Sequence, residues 1–173
     1  MRSGIEPATS AAPRQYRIIG FPDPVNEVSA RLVATGVFLM AVAAIALDWR
    51  WLTIVLAYGF VARVITGPKA SPLGQIVTRV VTPRLAVDPK LVPGPPKRFA
   101  QGIGVAFSVT AVVLTLAGQW TGAQVVLGLL ATAAFLEAAL ALCLGCKVFA
   151  VLMRVGIIPE SVCVRCNDIW ATR

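Results

Sequence analysis

Four apolar runs, each close to the length that crosses a bilayer, constrain this chain more than any other feature. A helix needs about 20 residues to cross a hydrocarbon layer of about 30 Å. Inside that layer only helices and closed barrels satisfy their own backbone. The runs are continuous rather than alternating, which selects helices. Spans are predicted at about 30–47, 52–66, 98–117 and 122–142. Composition agrees, with 57% hydrophobic and 14% charged residues, where a soluble domain carries about a quarter charged. The predicted fold is an all-α integral membrane protein, its four transmembrane helices arranged as two hairpins.

The stretches between the spans complete the outline. Residues 1–22 read as a flexible tail, polar and arginine-bearing, with no apolar core of a signal peptide. Asp23-Pro24 reads as a helix cap followed by proline in the first turn. Asp48-Trp49-Arg50-Trp51 is a tight turn whose indoles suit the membrane boundary. The central connection, Gly67 to Lys97, is rich in proline and cations. Within it Ser71-Pro72 caps a short helix, and Leu73, Ile76, Val77, Val80 and Val81 recur at helical spacing. That predicts an amphipathic segment lying in the interface. Pro95-Pro96-Lys97-Arg98-Phe99 closes the loop and opens the third span. The fourth run continues past Cys143 to Val155, about 34 residues or roughly 50 Å of helix. It must therefore emerge, bend or break, with Gly145 the natural place. The membrane domain is thus 23–155, its last span extended as helix to 155, and 156–173 is a cysteine-containing tail.

The net charge of +8 is a topology signal. Of the 16 Lys and Arg residues, Arg50 alone falls in the two short turns. Cations concentrate on the cytoplasmic side of membrane proteins. Both termini and the central loop are therefore expected in the cytoplasm, with the chain in the cell membrane. No basic-aromatic groove pattern points to nucleic acid.

The four cysteines form two C-x-x-C pairs, Cys143/Cys146 and Cys163/Cys166, separated by sixteen residues. That spacing admits two chemistries. All four thiolates could hold a tetrahedral zinc or iron ion that shapes the tail as a docking surface. Each pair could instead cycle as a dithiol, with no cofactor, in thiol redox or sulfur relay. A cytoplasmic position argues against permanent disulfides. The redox reading needs a thiolate of lowered pKa. An unbroken helix would put Cys143 near its C-terminal end, which disfavours one. A helix that breaks and restarts at Cys143 would favour it. Histidine is absent, so any metal relies on thiolates and carboxylates.

Arg63 and Glu137 are ionisable residues inside spans and are expected to pair across the bundle. They also admit a third function, small-molecule transport by a homo-oligomer. Two features suggest internal duplication: Pro24 precedes the first span as Pro95-Pro96 precede the third, and Ser71-Pro72-Leu73-Gly74 follows the second span where Cys143-Leu144-Gly145-Cys146 follows the fourth.

Five motifs carry a resemblance: Asp23-Pro24-Val25-Asn26-Glu27, Ser71-Pro72-Leu73-Gly74, Gly94-Pro95-Pro96-Lys97-Arg98-Phe99-Ala100, Cys143-Leu144-Gly145-Cys146-Lys147, and Ile158-Pro159-Glu160 leading to Cys163-Val164-Arg165-Cys166-Asn167. Together they resemble a family of small four-span bacterial membrane proteins, mainly actinobacterial, with this tetracysteine pattern and a domain of unknown function. The resemblance implies the four-span fold. Through the genes that neighbour such proteins, it also implies a cytosolic thioredoxin-like or sulfurtransferase partner.

Overall fold

The computed structural model describes residues 23–85, 90–159 and 162. The expected N-terminal tail, Cys163 and Cys166 lie outside the described residues. A two-residue strand, β1 (Val25–Asn26), leads into α1 (Glu27–Ala46) and α2 (Leu52–Thr66). A 3-10 turn (Gly67–Lys69), α3 (Pro72–Ile76), a π-turn (Val77–Val81) and α4 (Thr82–Arg84) follow. Strand β2 (Leu91–Val92) precedes α5 (Gly94–Leu116), α6 (Trp120–Leu140) and α7 (Leu144–Arg154). Four segments are long and apolar enough to cross a membrane: α1, the stretch Leu52–Arg84 that begins with α2, α5, and α6. With outward-facing Leu39, Val113 and Leu129 each more than half exposed, this is a multi-pass, all-α membrane protein.

Two side chains fix how the helices stand. Arg31, early in α1, reaches the carbonyls at the end of α6, and Arg63, late in α2, reaches Gln101 early in α5. Each of these pairs is therefore antiparallel. The beginnings of α1 and α5 and the ends of α2 and α6 share one end of the bundle with Cys143. At the other end Trp49 stacks on Trp51 with ring centroids 6.2 Å apart, and Arg50 lies 5.2 Å over the Trp120 ring. α1 packs chiefly along α6, and α2 along α5. The closest packing thus runs between the first two spans and the last two.

The interfaces use small residues, as helix packing in lipid requires. Lys97, Gly104, Ser108 and Ala111 give α5 one buried face, and Ala123, Leu127, Leu130, Ala131 and Ala134 do so for α6. Gly104 lies against the Phe60 ring, where an added Cβ would stand 2.1 Å from a ring carbon.

Three local details differ from the sequence expectation. α1 is capped by Asn26, whose side chain accepts from Val28 N–H at 2.9 Å, and not by Asp23. Val25 and Asn26 are instead extended, pairing antiparallel with Val92 and Leu91. Asp23 accepts from Gly94 N–H at 3.1 Å, covering an orphan donor at the start of α5. α5 accordingly begins at Gly94, with the prolines inside its first turn, so Lys97 is helical and buried. Ser71 does cap α3, its Oγ accepting from Gly74 N–H at 3.3 Å. The apolar face expected over 73–81 is split, with Val77 buried while Ile76 and Val80 point outward. The π-turn rotates successive side chains by less than an α-helix does, which accounts for the split.

Candidate functional site around Cys143

The fourth apolar run breaks just ahead of the first cysteine pair. Ala141 takes the left-handed conformation at φ 54°, and the N–H groups of Ala141 and Leu142 both return to Leu136 O. Left-handed backbone costs an L-residue about 1–2 kcal/mol, so something must hold it. Arg31 does so: its Nε and Nη2 donate to Ala138 O at 3.0 and 2.9 Å, and Nη2 to Ala139 O at 3.3 Å. These are carbonyls that a helix end leaves unpaired. Nothing in the sequence singled out Arg31 beyond its charge.

The break falls at 141–143 and not at Gly145. Gly145 serves close approach instead. An added Cβ there would lie 2.6 Å from both the Cα and the Cβ of Ala100. With Phe149 tilted against Phe99 at 5.6 Å between centroids, this contact seats α7 on the start of α5. Gly145→Val should force α7 off α5 and cost about 1–3 kcal/mol. A denaturation midpoint unchanged from wild type in detergent would contradict the packing.

The restart gives Cys143 a new position. It is extended, at φ −81° and ψ 101°, and forms the N-cap of α7. Its Sγ accepts from Cys146 N–H at 3.4 Å and from the Cys146 thiol at 2.7 Å. Both cysteines are free thiols, Cys143 buried and Cys146 half-buried. The Cys146 S–H donor lowers the Cys143 pKa below the ordinary thiol value. Burial and the Glu137 charge oppose this, while the Lys97 charge and the Cys146 N–H assist it. The Cys146 pKa is raised, first because its proton is the one donated to Cys143 and then by burial. The N–H and S–H of Cys146 both point at the Cys143 sulfur, which favours Cys143 over Cys146 as the thiolate.

The expected Arg63–Glu137 ion pair is not what forms. Glu137 Oε1 takes Lys97 Nζ at 2.6 Å, the two side chains only 10% and 15% exposed. Arg63 donates to Gln101 Oε1 at 2.9 Å and Ser71 Oγ at 3.2 Å, and its guanidinium lies 4.4 Å over the Phe60 ring. The physical reason is the early start of α5. It carries Lys97 and Gln101 inward one turn apart, Lys97 towards α6 and Gln101 towards α2. Proline in the first helical turn was the sequence signal for that start.

The positions matched by the duplication idea share a device. Ser71 Oγ and Cys143 Sγ each accept from the N–H three residues on, and each starts a short helix after a span. In the second half a thiol occupies the cap.

Among the described residues no group of three or more His, Cys, Asp or Glu is placed to hold a metal ion. A four-cysteine ion would need Cys163 and Cys166, outside the described residues. A family model described as a domain of unknown function, DUF4395, matches residues 25–154. The match takes in all four spans and the first cysteine pair, and it ends before the second. No curated protein matches, and no solved structure matches.

Proposed function

We propose that this chain, which belongs to the family of the domain of unknown function DUF4395, is a membrane thiol-disulfide redox protein in which Cys143 is the nucleophile and Cys146 the resolving thiol. The observation that carries the reading is the Cys143 cap, a sulfur receiving a backbone N–H and a thiol proton at a helix start. That environment favours the thiolate, which is the attacking species. In the first half-reaction Cys143 thiolate attacks a disulfide sulfur of a cytosolic thioredoxin-like partner, forming a mixed disulfide and releasing that partner's thiolate. Cys146 then loses its proton and attacks Cys143 Sγ. The intramolecular disulfide forms, and the second partner sulfur leaves as a thiol; run in reverse from a reduced partner, the same exchange returns two electrons to the chain and regenerates its dithiol. The same pair can accept sulfane sulfur from a sulfurtransferase as a persulfide on Cys143. The second pair, Cys163/Cys166, is the natural route for exchange with such partners. The cation distribution supports a cytoplasmic cysteine end, with both termini on that side of the cell membrane.

The test is alkylation of the fully reduced protein against pH, with peptide mapping. Cys143 should react with a midpoint below about 8.5, the ordinary thiol value. Cys146→Ala, which removes the S–H donor, should move that midpoint up. A Cys143 midpoint at or above the ordinary value sinks the nucleophile assignment. Thiols that stay unreactive until a chelator is added would instead support the four-cysteine zinc or iron site, with the tail as a docking surface.

A further inference from the structure

Beside the thiol pair lies a cavity of about 370 Å³, within the range of small-molecule sites, about 300–1,000 Å³. Its walls come from α1, α2, α5 and α6, with the start of α7 across the cysteine end. Most of the lining is apolar, including Val37, Phe60 and Phe107. Its polar groups are few: Arg63, Gln101, Thr132, Glu137 and Cys143. Leu129, Leu144 and Val148 also line it and are 56%, 43% and 46% exposed on the outer surface. The cavity thus opens on the exposed side of α6, a membrane-spanning helix, and on the start of α7 beyond it.

Arg63 gives the cavity its chemistry. It is 5% exposed, and its Nη2 is buried with no hydrogen-bond partner. Glu137 pairs directly with Lys97 and reaches Arg63 only through its charge, so the orphaned Nη2 has no acceptor of its own. An orphaned buried guanidinium N–H is costly unless an acceptor reaches it. The occupant that completes this site is apolar in body, soluble in lipid, and carries an oxygen acceptor that gains negative charge.

Since Cys143 forms part of the same wall, we propose that the cavity binds a membrane quinone, which takes the electrons of the dithiol. The inference rests on the redox reading above. Cys143 Sγ bonds to a quinone ring carbon. Cys146 Sγ loses its proton and attacks Cys143 Sγ, the S–C bond breaks, and its electron pair leaves with the ring as hydroquinone. In sum, two thiols and one quinone give one disulfide and one hydroquinone, with two electrons and two protons transferred. Arg63 holds the quinone oxygen as it becomes anionic, the same electrostatic service as an oxyanion donor. A fatty-acid carboxylate could also meet Arg63, but it has no use for the thiol.

The experiment uses the full chain, reduced and freed of reductant, in phosphatidylcholine nanodiscs with duroquinone as oxidant. One hydroquinone should appear per Cys143–Cys146 disulfide, and oleate should slow the reaction only as a competitor. Arg63→Gln should slow it about 100-fold, as for loss of one such donor. Leu129→Trp, a change on the lipid-facing rim that leaves the buried network intact, should block access and slow it as well. Glutathione disulfide serves as a water-borne oxidant for wild type. Disulfide formation with glutathione disulfide but not with duroquinone overturns the quinone site and leaves the redox reading standing. Duroquinone oxidation unaffected by both variants overturns it too. Failure with both oxidants removes the redox reading and the quinone site together.

Discussion

Cys143→Ser is expected to abolish cycling of the Cys143/Cys146 pair, whereas Cys146→Ser is expected to stop it half-way. The asymmetry follows from where the helix restarts. Cys143 caps α7 and receives two donors, so its thiolate is the form that attacks. A serine hydroxyl at that cap would keep the helix start, since serine is among the preferred N-cap residues, yet it would not ionise. Fold and midpoint of unfolding should therefore survive while rapid alkylation at position 143 and the Cys143–Cys146 disulfide vanish. In Cys146→Ser, made with Cys163 and Cys166 also changed to serine, the first attack still occurs, but nothing resolves the product. A mixed disulfide with a thioredoxin-like partner should accumulate, visible on non-reducing gels and cleaved by a soluble dithiol. Equal phenotypes for the two serine variants would argue against separate nucleophilic and resolving roles.

The largest effect on stability is expected from Lys97→Met. It removes the partner of a carboxylate that is only 15% exposed, and breaking a buried pair from one side costs about 3–5 kcal/mol. Most of that cost is the charge left behind on Glu137. The double variant Lys97→Met/Glu137→Gln should therefore recover most of the loss, which a simple loss of packing would not. The same substitution reaches the chemistry, because the Lys97 charge helps lower the Cys143 pKa. A cost below about 1 kcal/mol, within the range of an exposed pair, would mean that Arg63 or water takes over Glu137.

The parts of the fold that depend on apolar length were legible in the sequence, and those that depend on local competition were not. α2 occupies Leu52–Thr66 as expected, because Trp51 and Gly67 bracket an apolar run with strong punctuation. Ser71-Pro72 was equally clear, since cap and proline at the first helical turn act within a few residues. The break at Ala141 had no such signature. Alanine is the best helix former, and its left-handed turn is held by Arg31, 107 residues from Ala138 in sequence. Cysteine is not a customary N-cap, so Cys143 read as chemistry without a position. The Arg63–Glu137 expectation failed for a related reason. Asp23, 71 residues from Gly94, helps start α5 early, and that turns Lys97 from a loop cation into the partner of Glu137. Long-range contacts decided both, and spacing alone does not reveal them.

The most direct measurement is a redox titration of the full chain in nanodiscs, poised with glutathione buffers, alkylated, and mapped by mass spectrometry. The account predicts that Cys143 and Cys146 convert together and reversibly between two free thiols and one disulfide, and that metal analysis of the same sample finds no bound ion. Thiols that stay reduced across the whole series, or that carry a stoichiometric metal ion released by a chelator, would contradict it.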